Sequence, residues 1–131
     1  ICYESIYGAY VAEYVKKGAN LLTIITNDGW WGNTPGHLQH LNYARLRAIE
    51  TRKFVARSAN TGISAVIDPS GHIITQTAYN VPTVIQYNIP INNGNTFYVK
   101  WGDWLYKIAA FMALLVILYQ LFLSRPFRQR K

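Results

Sequence analysis

The chain has 131 residues, half of them apolar, and a formal charge of +7. That composition excludes intrinsic disorder and suits one domain, or part of one, with an appendage. A single cysteine, Cys2, excludes an internal disulfide and a thiolate metal centre, and leaves the redox compartment open.

The positive charge is unevenly placed. Arg125, Arg128, Arg130 and Lys131 crowd the C-terminal end. Without these four, nine basic side chains face six acidic ones, a net of +3. Arg45, Arg47, Arg52, Lys53 and Arg57 fall in one predicted helix, where a solvated face or internal ion pairing accounts for them. With no zinc-finger, RNA-binding or helix-turn-helix signature, no nucleic-acid partner is expected.

In chain order, Ile1-Cys2-Tyr3-Glu4-Ser5 places a thiol between an apolar residue and a carboxylate, just before a helix-like stretch. This is how a nucleophile is displayed at the end of a strand. Tyr7–Lys17 has helical spacing and stops at Gly18. The nearly unbroken apolar run Asn20–Thr26 reads as a strand covered on both faces. Asn27-Asp28-Gly29 ends it, and the loop Trp30–Gly36 is rich in turn residues. A long helix is predicted from about His37 to Arg57, with Leu38, Leu41, Ala44, Ala48 and Val55 largely on one face. Ile63–Ile67 and His72–Thr77 read as two strands joined by the turn Asp68-Pro69-Ser70-Gly71. Val84–Ile89 reads as a further strand, and Asn92–Asn95 as a flexible connector. The order indicates an α/β layered domain that is incomplete at its start.

Trp104–Leu123 is apolar except for Lys107 and Gln120 near its ends. A helix of this length rises ~30 Å, the thickness of a bilayer core. Lys107 can snorkel, Trp101, Trp104 and Tyr106 form an aromatic belt, and the basic residues beyond Ser124 predict a cytoplasmic C-terminus. The expected division is residues 1–100 catalytic, 101–123 transmembrane and 124–131 a basic cytoplasmic tail.

Chemistry concentrates at few positions. Cys2 acts as a nucleophile only as the thiolate, which peptide N–H groups at a following helix start would favour; a lone cysteine also fits a small buried hydrophobe. Glu4 could position a substrate amine. Asn27, Asp28, Trp30 and Trp31 follow a predicted strand C-terminus, where α/β sheets place ligands, and the two tryptophans fit either core or pocket wall. His37 and His40 stand one helical turn apart without further ligands, which suits an interface or substrate loop better than a metal. Glu50 reads as an ion-pair centre among Arg45, Arg47, Arg52 and Arg57, and Gly62 and Gly71 as turn residues. No metal site and no cofactor are expected.

Three segments carry a family resemblance: ICYES at 1–5, TNDGWWGNTPGHLQHLNYARLRAIETRKFVARSANTGISAVIDPSGHI at 26–73, and WGDW at 101–104 leading into the apolar helix. Together they resemble the C-terminal part of bacterial apolipoprotein N-acyltransferases, a branch of the nitrilase or carbon–nitrogen hydrolase superfamily. The resemblance implies part of a nitrilase-like α-β-β-α sandwich plus one C-terminal transmembrane helix. It implies that Cys2 is the nucleophile of a Glu–Lys–Cys triad and that Tyr3 and Glu4 line the active site. It further implies a phospholipid acyl donor, a thioester intermediate, a diacylated lipoprotein acceptor and a periplasmic catalytic domain on the bacterial inner membrane. The family's Glu and Lys lie upstream of its cysteine, so this stretch alone is expected to be inactive. A membrane-tethered amidase or nitrilase, and a non-catalytic membrane-anchored interaction domain, are the alternatives.

Overall fold

A computed structural model describes residues 1–124. The elements run α1 (Gly8–Lys16), β1 (Leu21–Thr26), α2 (Pro35–Thr51), β2 (Phe54–Ala59), β3 (Ala65–Ile67), β4 (Ile73–Gln76), α3 (Phe97–Trp101) and α4 (Trp104–Leu123). Two short 3-10 turns, Tyr3–Ile6 and Asp28–Trp31, precede α1 and α2. The strands form one sheet in the order β1-β2-β3-β4, parallel between β1 and β2 and antiparallel thereafter. The expected α/β class is what the chain adopts.

Local chemistry sets the boundaries. Gly18 and Ala19 return their N–H groups to Val15 and Tyr14, closing α1 in a Schellman motif. Thr34 caps α2 through its side chain, with Pro35 in the first turn. Asp68 accepts from the N–H groups of Ser70 and His72 at 2.8 and 2.9 Å, and Gly71 N donates to Asp68 O, fixing the β3–β4 turn as its sequence predicts.

The core lies between the sheet and α1, α2 and α3. Val11, Ala12 and Val15 meet Leu22 and Ile24, Leu41, Ala44 and Ala48, and Val55, Ile67 and Val99. In β1 the burial alternates: Leu22, Ile24 and Thr26 face the helices, while Ile25 on the other face is 69 % exposed. The expectation of cover on both faces is therefore corrected for the described residues. Residues 83–85 run over part of the open face and bound a cavity of about 490 Å³ with Thr23, Ile25 and Ser58.

Three further expectations change. The long helix stops at Thr51, because Arg52 takes the left-handed conformation (φ 54°) and Phe54–Ala59 pairs with Leu21–Thr26 as a strand. Lys53, Val55 and Arg57 therefore belong to the strand side, and Leu38 is half-exposed rather than core. Val84–Ile89 pairs with no strand among the described residues, and Val84 is 90 % exposed. Pro82 and Pro90, which cannot donate to a ladder, bracket that stretch. The connector Asn92–Asn95 is held rather than loose: buried Lys53 donates to the carbonyls of Asn92 and Gly94, and Asn20 donates to Asn93. Burial lowers the Lys53 pKa.

α4 is exposed along its whole length and has a mean hydropathy of 2.0 over its most apolar window, long and apolar enough to cross a membrane. Its N-terminal end carries the ring cluster Phe97, Trp101 and Trp104, with centroids about 6 Å apart. Of the expected basic tail, residues 125–131 lie outside the described residues.

Gly71 has φ +83°, and a Cβ there would stand 2.7 Å from Ile49 Cδ1. Gly71→Ala should cost about 1–3 kcal/mol from backbone strain, read as a lowered thermal unfolding midpoint of the full-length protein in detergent.

Candidate active site

Cys2 is exposed and stands immediately before the Tyr3–Ile6 turn. Ile1 fixes its approach: Ile1 N donates to Thr23 O at 3.1 Å and Ile25 N to Ile1 O at 2.8 Å, the bonds of a parallel neighbour along the edge of β1. The thiol is thus delivered beside the C-terminal end of β1. The helix following it is one 3-10 turn, and α1 begins only at Gly8. The helix-start stabilisation expected for the thiolate is therefore small, since so short a turn has little dipole.

Beneath Cys2 lies a buried polar chain. The thiol is 3.5 Å from Thr26 Oγ1, and the Thr26 hydroxyl donates to Asp28 Oδ1 at 3.2 Å. The same Oδ1 accepts from His40 Nδ1 at 2.9 Å, and His40 Nε2 meets Ser5 Oγ at 3.2 Å. Arg57 donates to Asp28 Oδ2 and, through Nε, to Ile63 O at 3.1 Å. Ser5 and Asp28 are fully buried, and Thr26, His40 and Arg57 nearly so. An ionised carboxylate only accepts, so His40 Nδ1 carries a hydrogen, while Nε2 hydrogen-bonds the Ser5 hydroxyl. The order Asp, His, Ser has triad geometry, but its serine is closed to substrate. It ties the Tyr3–Ile6 turn to the Asp28–Trp31 turn and to α2.

Burial pushes the Asp28 carboxyl up, but the His40 hydrogen bond and the Arg57 charge outweigh it and hold Asp28 below the ordinary carboxylate range. Gly62 completes the enclosure: at φ +135° it brings its backbone so close that a Cβ would lie 2.8 Å from Asp28 Oδ2.

Arg47 makes a second tie, donating to Ile6 O at 2.7 Å and pairing with Glu50 at 2.8 Å. Glu50 is thus partner to Arg47 alone among the four arginines expected around it. Arg45 bonds Gly71 O, Arg52 bonds Pro69 O, and Arg57 belongs to Asp28. Burial raises the Glu50 pKa against the opposing Arg47 charge.

The other predicted site residues take distinct places. Glu4 accepts from Cys2 N at 2.9 Å, and the N–H groups of Cys2 and of Glu4 itself hold its carboxylate below the usual range. Cys2 and Glu4 open onto a cavity of about 430 Å³ that Tyr10, Tyr14 and Ile25 also line. Tyr3 stacks obliquely with Trp31 and His40, centroids 6.0 and 5.8 Å away, beside a smaller cavity of about 170 Å³. Asn27 accepts from Gly29 N at 3.0 Å and caps the turn, Asp28 is buried beneath the thiol, and Trp30 is 88 % exposed. His37 packs on Tyr79 at 4.4 Å, so the two helix histidines serve different neighbours.

Sequence reasoning missed Thr26, Ser5, His40 and Arg57 as one unit. A signal was available. Arg57 sits within an apolar strand and needs a buried anion, and Asp28 is the only acidic residue between Glu13 and Glu50.

The carbon–nitrogen hydrolase family profile matches residues 1–96. The chain belongs to the carbon–nitrogen hydrolase family. Among curated relatives of this hydrolase-family chain, proteins named apolipoprotein N-acyltransferase recur. The one from Chlorobaculum tepidum is 41 % identical over 103 residues, 79 % of this chain and 19 % of the relative. Those from Thermotoga maritima and Rhodopseudomonas palustris are 34 and 39 % identical over 125 and 126 residues, covering 95 and 96 % of this chain and 24 and 23 % of each relative. The chain thus spans about a fifth to a quarter of the length of these relatives.

Asp28→Asn should cost about 3 kcal/mol or more, because it leaves the Arg57 guanidinium buried without its anion. The folded pKa of Asp28 lies below its unfolded value. Its stabilisation is therefore complete above the ordinary carboxylate range and is lost as pH falls through the depressed value. Unfolding midpoints measured from neutral to acid pH should fall more steeply for the wild type than for Asp28→Asn.

Proposed function

We propose that this chain is the nucleophile-bearing part of a membrane acyltransferase that N-acylates lipoproteins. The single observation that carries this is the similarity to proteins named apolipoprotein N-acyltransferase over 125 and 126 residues, together with a carbon–nitrogen hydrolase match over residues 1–96 that includes the exposed Cys2. In this reading residues 1–100 serve catalysis, 101–123 span the inner membrane, and 124–131 lie in the cytoplasm with the catalytic part periplasmic. The apolar α4, its aromatic N-terminal end and the basic residues beyond it support that arrangement.

The Cys2 thiolate attacks the ester carbonyl of a phospholipid, and the lysophospholipid alkoxide leaves, taking a proton. The thioester is then attacked by the α-amino group of a diacylglyceryl-cysteine, which forms the amide, loses a proton and returns the thiol. This is covalent two-step chemistry with ping-pong kinetics. The open cavity beside Cys2 gives an acyl carbonyl room to approach, and Glu4 at its rim suits an incoming amine. Tyr3 and Trp31 offer aromatic surface on the other flank. The base and the lysine implied by the resemblance are assigned to no residue of this chain, so this stretch alone is proposed to be inactive.

In the full-length protein, Cys2→Ala should abolish a hydroxylamine-sensitive acyl label from radiolabelled phospholipid and leave lipoproteins diacylated by mass. Persistence of both label and N-acylation would remove Cys2 from the mechanism. Release of free fatty acid with no amide product would favour the tethered hydrolase instead.

A further inference from the structure

We propose that Thr26 is a further catalytic residue, whose hydroxyl holds the Cys2 thiol and turns its hydrogen onto the sulfur when the thiolate forms. The inference rests on Cys2 being the nucleophile. It starts from the Thr26 Oγ1 position, 3.5 Å from Cys2 Sγ and 3.2 Å from Asp28 Oδ1. A hydroxyl has one hydrogen and two lone pairs. With the hydrogen given to Asp28, the lone pairs accept the S–H, so the neutral thiol is held in one orientation. When the thiol proton leaves to a base, the sulfur becomes an acceptor. The Thr26 hydrogen then serves better on sulfur than on Asp28, and a hydrogen bond to the charged form favours that form.

The surroundings make this exchange inexpensive. Asp28 Oδ1 keeps His40 Nδ1–H, and Oδ2 keeps Arg57, so the carboxylate stays satisfied when Thr26 turns away. Thr26 gains and loses no net proton. The neighbouring acid and base also balance: Asp28 and Arg57 form a pair of zero net charge behind the thiol. The other titratable groups facing Cys2 are Glu4, bound to the Cys2 N–H, and Tyr10 and Tyr14 across the cavity. His40 stands one step further off, behind Asp28. None of these hydrogen-bonds the sulfur, whereas the Thr26 hydroxyl does. Thr26 is also 6 % exposed, so water does not compete for its hydroxyl.

The test compares Thr26→Val, which keeps the shape, with Thr26→Ser, which keeps the hydroxyl, in the full-length protein. Iodoacetamide alkylation at Cys2 is followed by peptide mass across pH, alongside kcat and KM for acyl transfer from phospholipid. A lost hydrogen bond to a charged group is worth about tenfold or more. Thr26→Val should alkylate about tenfold more slowly at neutral pH, with its pH profile moved upward and kcat reduced while KM for phospholipid holds. Thr26→Ser should restore most of the loss. A Val variant with the wild-type profile overturns the proposal. So does a Ser variant as slow as Val, since packing of the methyl group would then be the cause; this comparison stands even if the Val variant folds poorly. If the wild type forms no thioester at all, the acyltransferase reading fails. If the thioester forms and the profiles do not move, only the role of Thr26 fails.

Discussion

The arrangement depends on one buried carboxylate. Asp28 sits fully enclosed between β1, α2 and β2, and its two oxygens gather a guanidinium, an imidazole and a hydroxyl. A carboxylate in that position is tolerable only because each oxygen has a donor and Arg57 cancels the charge. Its partners come from four separate places: the end of β1, the middle of α2, β2 and, through His40, the Tyr3–Ile6 turn. The parallel pairing of β1 with β2 puts Thr26 opposite Ala59 and Ile24 opposite Arg57, and so brings an arginine 29 residues away to the loop after β1. The Tyr3–Ile6 turn beside Cys2 is then fastened twice, by His40 to Ser5 and by Arg47 to Ile6.

This division of labour explains why the exposed and buried parts of the site use different chemistry. Cys2, Glu4 and the rims of Tyr3 and Trp31 face open space, where the proposed substrate contacts would be made. Behind them, every group that fixes geometry is dry. Preorganisation of this kind keeps a reacting atom in place without reordering solvent during the reaction. A serine with perfect triad partners thus serves as a fastener because it lacks access, while a cysteine with no histidine partner is the one displayed.

Much of the fold was legible because it is written in local signals. The Gly18 stop, the six-residue apolar run of β1 and the Asp68-Pro69-Ser70-Gly71 turn all appear where their residue chemistry puts them. The misread positions are those that tertiary pairing decides. Helical periodicity ran past Thr51 because Val55 falls seven residues after Ala48, on the face of Leu41 and Ala44, and only the β1 partner makes Phe54–Ala59 a strand. Val84–Ile89 has strand composition but no pairing neighbour among the described residues. In the site, the thiol and its Tyr and Glu neighbours stand in one run of sequence. The Thr26–Asp28–His40–Arg57 unit is spread over 32 residues and becomes visible only when burial shows that Arg57 has no water to meet.

Val99 gives the helix preceding α4 a second meaning. It is fully buried among the core residues of α1 and the sheet, and Lys53 grips the chain just before it. A tether would leave the sheet free to drift on a loose string. Here α3, separated from the apolar helix by Gly102 and Asp103, is a structural member of the domain, and drawing Val99 out of the core would cost about 1.5–3 kcal/mol.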